Sequence, residues 1–470
     1  MRTGNPGTHI HNPVQRYGCE PLEIIAPAST TELAQIIRSS ADTRTGLVPV
    51  SSTGAHRQTG LCCREPHRRI DLSGWRGIPF LNRRNRVVQI EPGVTYTQLQ
   101  DALRTEGMTI PMPLAPRRGK SVLAALCERR PVTWSNKQWE SSDPMACMEF
   151  LFGTGDLFVT GAAGGPGTLV QQRRIGQAQK APLGPGSTDF HRLVQGSQGS
   201  FGIATWLTVR AELAPTVETP RLIGAAQLHD LYDFVYAVQR ANLGEDSVIL
   251  NRTAAAMLLA RSDAGHFSAL SRALPAYICL QNIAGFERLP RERLSYQQTD
   301  IQRWAAASHL ELSTELGPVS ADTLLAAARS ADHEQDWRDE PHGACLSLYF
   351  QCTLERSQDL IALAQDVAGQ HGRDSESIGV YVQPVVQNRF CEVELLYPYA
   401  PDDAATVSRL RMLEKDTYDV LNRATAFFSR PYGLAETEVF RNNPVNTALL
   451  AKLKHIFDPA RTLNPGKFGL

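Results

Sequence analysis

The sequence predicts an α+β protein built as two lobes. At 470 residues the chain exceeds what one compact core of ordinary domain size holds. Short β-type runs that stop at turn signals recur through the first 215 residues. From about Thr216 to Ser429, helical and strand patterns alternate, which predicts helices laid over an antiparallel sheet.

The elements follow in order. Residues 1–18 are polar, carry Pro and Gly, and read as an arm or a disordered start. Ser29, Thr30, Thr31 and Glu32, followed by Leu33, Ile36 and Ile37, spell a capped amphipathic helix. Residues 47–50 form a strand, 51–60 a small-residue turn, and 70–72 another β element. Val87, Val88 and Ile90 form a run that stops at Pro92-Gly93. Thr95 then caps a helix with Tyr96, Leu99, Ala102 and Leu103 on one face. Residues 150–152 and 157–159 flank Gly153-Thr154-Gly155-Asp156, a hairpin pattern. Residues 161–186 are rich in Gly, Pro and Gln and read as an exposed loop. The second lobe places elements at 228–240, 275–283, 320–331, 344–350, 358–369, 380–386, 390–396 and 403–423. A helix over 444–457 puts Val445, Leu449, Leu453 and Ile456 on one side.

Lys+Arg and Asp+Glu both number 48, so nothing pulls the whole molecule toward nucleic acid. No apolar run reaches the ~18 residues that a membrane span needs. Nine cysteines are scattered without zinc or iron–sulfur spacing, and the odd count points to a reducing cytoplasm. Charge is uneven locally. Residues 57–86 hold eight arginines against Glu65 and Asp71, and Arg117, Arg118, Lys120, Arg129, Arg130 and Lys137 follow. These are either a solvated basic face or cations that meet an anion.

Five stretches carry more than their local structure. They read RVVQIEPGVTYTQLQDALRTEGM (86–108), KSVLAALCERRPVTW (120–134), MACMEFLFGTGDLFVTG (145–161), DFHRLVQGSQGSFGIATWLTVRAELAP (189–215) and FDPARTLNPGKFGL (457–470). In this order they resemble the flavin domain of the vanillyl-alcohol oxidase and p-cresol methylhydroxylase family. The resemblance implies a PCMH-type FAD-binding lobe over 1–215, a cap over 216–429, and a return to the first lobe over 430–470. It implies FAD as cofactor, and hydride transfer from an alcohol or activated C–H carbon, phenolic in some relatives, to flavin N5. The electron acceptor stays open among oxygen, a cytochrome and a partner subunit, as does assembly into a homo-oligomer.

Residue by residue, the resemblance puts Ser52, Thr53, Gly54, Ala55, His56 and Gly60 in a turn whose backbone faces the pyrophosphate. Pro92 and Gly93, then Ser121, Val122 and Glu128, would line the pyrophosphate and the ring. Gly199, Gly202 and Ile203 belong to the small-residue turn, and Asn464 and Lys467 to the "PGK" tail. His56 matches a histidine tethered to flavin in berberine-bridge-type enzymes. Cys345 stands where the vanillyl-alcohol oxidase type has its tether, so non-covalent FAD is expected. Glu128 would sit near flavin N5. Tyr432 would orient or deprotonate substrate, with Arg430 supplying the cation that relatives place beside the tyrosine.

The chain departs from the pattern at Ala55, Thr59, Ala124, Ala125, Arg130, Cys345 and Gly433. Two alternatives therefore stand beside the oxidoreductase: a non-catalytic scaffold or partner subunit of this fold, and a 2-hydroxy-acid dehydrogenase whose arginines bind a carboxylate.

Overall fold

The computed structural model describes residues 19–57, 59–176, 179, 181–186, 189–387 and 389–469, and the backbone of 2–3 and 9–10. Gln58 and most of the 1–18 arm lie outside the described residues. Two short pieces of that arm pair as strands. Arg2–Thr3 runs antiparallel to Glu23–Ala26, and His9–Ile10 parallel to Ala55–His56.

The first lobe is built on two main sheets. Glu23–Ala26, His67–Asp71 and Gly46–Val50 form a parallel set, with Arg2–Thr3 at its edge. Helix Thr30–Thr43 covers it with Leu33, Ile36 and Ile37, and Ser29 caps that helix by accepting from the Glu32 amide. The second sheet is antiparallel, ordered Leu157–Val159, Met145–Leu151, Ile203–Arg210, Val87–Ile90 and Phe80–Asn82. Helix Tyr96–Arg104, capped by Thr95, packs Tyr96, Leu99 and Leu103 into the core of this sheet. The 161–186 stretch is more than an exposed loop. Helix Leu169–Arg174 forms there on a Thr168/Gln171 capping box, and Gln172 is buried with its amide on the Ala163 and Gly167 carbonyls.

The second lobe is a six-stranded antiparallel sheet with helices on both faces. Its order is Val217–Ala225, Tyr277–Gly285, Ser247–Asn251, Gly379–Val385, Phe390–Tyr399 and Ala344–Cys352. Side chains alternate faces at the period of two that strands impose. Ile249, Cys279, Leu346 and Val380 join helices Tyr232–Arg240, Leu354–Gln370 and Ala404–Arg423 in one core. Val248, Ile278, Cys345 and Tyr381 join helices Arg252–Ala260, Ala264–Ala273 and Ala321–Arg329 in the other. No helix among the described residues is long and apolar enough to cross a membrane.

Helix Pro444–Phe457 corrects the sequence reading. Val445, Leu449 and Ile456 are exposed, and the residue it buries is Lys454. The reason is electrostatic: Lys454 pairs with buried Asp458 at 2.7 Å. The following segment then adds to the edge of the parallel sheet, with Leu463 bridging to Leu47.

Candidate active site

Strand Gly46–Val50 ends at a cavity. Five parts of the chain wall it. The turn after the strand contributes Ser51, Ser52, His56 and Gly60. Pro92 follows. Helix Val122–Cys127 and its C-cap present Leu123, Ala124, Cys127 and Glu128, and the 198–204 turn presents Gln198, Gly199, Gly202 and Ile203. Tyr432 completes the wall. Gly199 takes φ +79°, and a Cβ there would press 2.6 Å from Pro49, so glycine is required on both counts.

Other expected site residues stand behind this wall. The Thr53 amide donates to the Gly119 carbonyl at 3.0 Å, and its own carbonyl accepts from Arg117. The Thr53 backbone is thus spent inside the protein, and neither Thr53 nor Gly54 lines the cavity. A Cβ on Gly93 would run into the Ser73 carbonyl, so this glycine serves backbone packing. Ser121 is a stitch: its amide donates to Ser52 Oγ, and its hydroxyl donates to the Pro92 carbonyl and accepts from Ala124. The Val122 amide donates to the Val94 carbonyl. Asn464 holds two lining segments at once, with Nδ2 on the carbonyls of Gly60 (3.0 Å) and Gln198 (2.6 Å). Lys467 is buried with Nζ on the Cys62 carbonyl.

The lining suits the flavin that the resemblance implies. Its walls are largely apolar, through Val50, Leu61, Leu72, Leu123 and Val194. A Cβ on Gly60 would meet only Gln198 Oε1, at 3.9 Å, so glycine leaves the backbone bare there. That same Gln198 oxygen is buried with no protein partner among the described residues. An acceptor in this position is left for a ligand.

A charged shell backs the cavity. Glu128 accepts both oxygens' bonds from Lys120 (2.6 and 2.7 Å) and one from Arg130 (3.0 Å). Burial alone would raise the Glu128 carboxyl, but Lys120 and Arg130 outweigh it and hold it at about 2. Burial brings Lys120 down to about 7 despite its carboxylate partner. A small chamber lies behind His56, walled by Ala55, Arg57, Arg117, Lys120, Arg130 and Asp336. Burial first, then Arg117 and Lys120, push His56 well below its usual value. Its Nε2 lies 3.2 Å from the Ser52 carbonyl, so the neutral ring donates from Nε2.

This fixes a sign. The unfolded chain binds a proton at His56 near pH 6.5, whereas the folded chain does not. The stabilisation is complete above that pH and is lost as pH falls toward the folded value. Urea unfolding at pH 7.5 and 5.5 checks this: His56→Gln should lose less stability on acidification than the parent.

A third, small chamber is walled by Arg57, Arg130, Arg338, Arg430, Tyr349 and Tyr381, with Glu394. Arg57 leaves the cavity loop and crosses to the cap, pairing with Asp339 (3.1 Å) and Asp336 (3.5 Å) and donating to Ser347 Oγ. Arg338 bridges Asp336 and Glu394. Arg430 pairs with Glu392 and lies 4.1 Å above the Tyr349 ring, which meets Tyr432 edge-on at 6.3 Å. Arg430 therefore stands behind the tyrosines rather than at the cavity wall. Burial, Glu128 and Tyr349 raise the Tyr432 phenol well above its usual value, and the cations Arg430 and Arg130 do not reverse this. Tyr432 therefore keeps its proton at neutral pH. Cys345 is fully buried and lines none of the three chambers.

The model of an FAD binding domain matches residues 21–161. The chain also superposes over 99% of its length on p-cresol methylhydroxylase with substrate bound, covering 92% of it, at TM-score 0.82 and 16% identity. The chain has the PCMH-type fold, with an FAD binding domain matched over residues 21–161. A second flavoenzyme of this architecture, 4-ethylphenol oxidase from Gulosibacter chungangensis, matches at TM-score 0.79 and 16% identity, over 98% of this chain and 91% of that one. Curated relatives include the mitochondrial D-lactate dehydrogenase [cytochrome] of Arabidopsis thaliana, 21% identical over 99% of this chain and 75% of that protein. The D-2-hydroxyglutarate dehydrogenase of Xanthomonas citri pv. viticola is 22% identical over 96% of this chain and 90% of that protein. This PCMH-type chain is an FAD-dependent oxidoreductase with an α+β cap.

Sequence reasoning missed the cap side of the site. Asp336, Arg338, Glu392, Glu394, Tyr349 and Tyr381 carry no local motif. They meet Arg57, Arg130 and Arg430 only through strand register and contacts such as Arg57 to Ser347, 290 residues apart.

Proposed function

We propose that the protein oxidises an alcohol or an activated C–H carbon held between the cap and the Tyr432–Glu128 wall. The observation that carries this reading is that the Tyr432 phenol and the ion-paired Glu128 carboxylate face one cavity. FAD, when bound, supplies the hydride acceptor. Ser52, His56, Gly60, Gly199, Gly202 and Ile203 would hold the cofactor, with Ser121 and Asn464 fixing the loops that do so. Tyr432 donates a hydrogen bond to the substrate oxygen and orients it. Glu128 presents a fixed negative charge where positive charge develops on the oxidised carbon. Arg430 stacks behind Tyr349 and keeps the tyrosine pair in place.

A second reading, oxidation of a 2-hydroxy acid, is favoured by the charge of the shell. Arg117 lies there beside Lys120 and Arg130 and, among the described residues, is bonded to the Thr53 carbonyl rather than to a carboxylate, which leaves its guanidinium for an anion. Anaerobic mixing of the FAD-loaded protein with simple alcohols, 2-hydroxy acids and para-alkylphenols tests both readings. Bleaching of the flavin band by one class names the substrate type. A loaded protein that none of them reduces counts against both and in favour of a scaffold.

The tether sites predict a further outcome. Cys345 is sealed away from the cavity, so FAD is expected to leave the protein on acid precipitation. A washed pellet that stays yellow, and loses its colour in His56→Ala, would instead name His56 as a covalent anchor.

A further inference from the structure

Cys352 stands directly opposite Cys391 where strands Ala344–Cys352 and Phe390–Tyr399 pair. Their sulfurs are 3.9 Å apart, and both are free thiols. Opposed residues of an antiparallel pair have Cα atoms about 4.5–5.5 Å apart, inside the window a disulfide spans. Cys391 is buried and Cys352 is half-buried, so Cys352 is the one that solvent reaches. Cys391 also lies 3.5 Å from the Cys352 carbonyl, an acceptor for its S–H. Contact with Cys352, then burial, hold the Cys391 thiol well above its usual range.

We propose that Cys352 and Cys391 are an oxidisable dithiol that a hydroperoxide closes to a disulfide. The Cys352 thiolate attacks the peroxide: an S–O bond forms, the O–O bond breaks, and the distal oxygen leaves with a proton as water or alcohol. Cys391 then attacks the resulting sulfenic sulfur. The S–S bond forms, the S–O bond breaks, and water leaves with the Cys391 proton. Two thiols lose two electrons, the peroxide gains them, and a dithiol reductant reverses the change.

The next rung of the same ladder is Gln351 opposite Glu392. Glu392 holds Arg430, and Gln351 pairs with the Phe427 backbone in both directions. Bonding draws the sulfurs from 3.9 Å to about 2.05 Å, beside the two supports of the 427–432 segment. Closure is therefore expected to displace Arg430 and Tyr432, an effect that rests on the function proposed above. The bond itself does not.

The test titrates reduced, FAD-loaded protein with hydrogen peroxide and follows intact mass, peptide maps and turnover. The expected result is loss of two hydrogens, one Cys352–Cys391 cross-link, and recovery with dithiothreitol. Turnover should fall several-fold and reversibly in the parent but not in Cys352→Ser. Absence of the cross-link, a cross-link between other cysteines, or sulfinic acid at Cys352 without one would overturn the dithiol. Equal loss of turnover in Cys352→Ser would overturn its coupling to Arg430. If no protein turns over at all, the proposed function has failed, and the mass and map still decide the dithiol.

Discussion

Tyr432→Phe is expected to lower turnover about 10²-fold, the scale of general acid–base assistance, while leaving the flavin spectrum and the fold nearly unchanged. The phenol is 6% exposed, lines the cavity at the end of strand Gly46–Val50, and has no hydrogen-bond partner on its hydroxyl among the described residues. Removing that oxygen therefore breaks nothing within the protein. Because burial, Glu128 and Tyr349 keep its proton on, the lost function is donation to substrate, so the deficit should fall on turnover and persist at mildly alkaline pH. Stopped-flow reduction of the bound flavin measures it directly. A variant reduced as fast as the parent would remove Tyr432 from the site and strengthen the scaffold alternative.

Asp458→Ala is expected to cost about 3–5 kcal/mol, the range for breaking a buried ion pair by deleting one partner. Asp458 is fully buried, pairs with Lys454, and accepts from the amides of Thr462 (3.1 Å) and Leu463 (2.8 Å). Its loss leaves the Lys454 ammonium buried with only the Ser200 and Leu463 carbonyls. Ser200 belongs to the turn at the cavity, so FAD affinity should fall together with stability. Urea unfolding and FAD titration read the two effects. Lys454→Met added to Asp458→Ala should recover much of the lost stability, since an apolar pair carries no stranded charge. A single variant within about 1 kcal/mol of the parent would show that the pair does not hold this segment in place.

The first lobe was legible because its signals are local. Ser29 and Thr95 cap the helices they announce, and Gly153–Asp156 turns the hairpin it spells. The cavity wall was legible in part for the same reason, since small residues at 51–60 and 199–203 mark places where backbone approaches a ligand. Thr53 and Gly54 read as ligand contacts yet point into Arg117 and Gly119. Spacing along a loop does not say which amides a neighbouring loop has already taken. The cap chamber was not legible at all. Glu392 and Glu394 sit in a strand at alternate positions like any paired carboxylates, and only the fold shows that Glu394 faces Arg338 of the same lobe and Glu392 faces Arg430 of the returning segment. Lys454 was hidden by the apolar residues around it.

The hold of Asn464 on Gly60 has a consequence for how the protein is made. The two residues are 404 positions apart. At about 5–20 residues per second, Gly60 leaves the ribosome roughly 20–80 s before Asn464 is synthesised. During that interval the carbonyls of Gly60 and Gln198 lack their clamp, and the 198–203 turn lacks Lys454. Cofactor capture should therefore follow synthesis rather than accompany it, and nascent chains arrested before residue 464 should fail to retain flavin even with the whole 21–161 domain exposed.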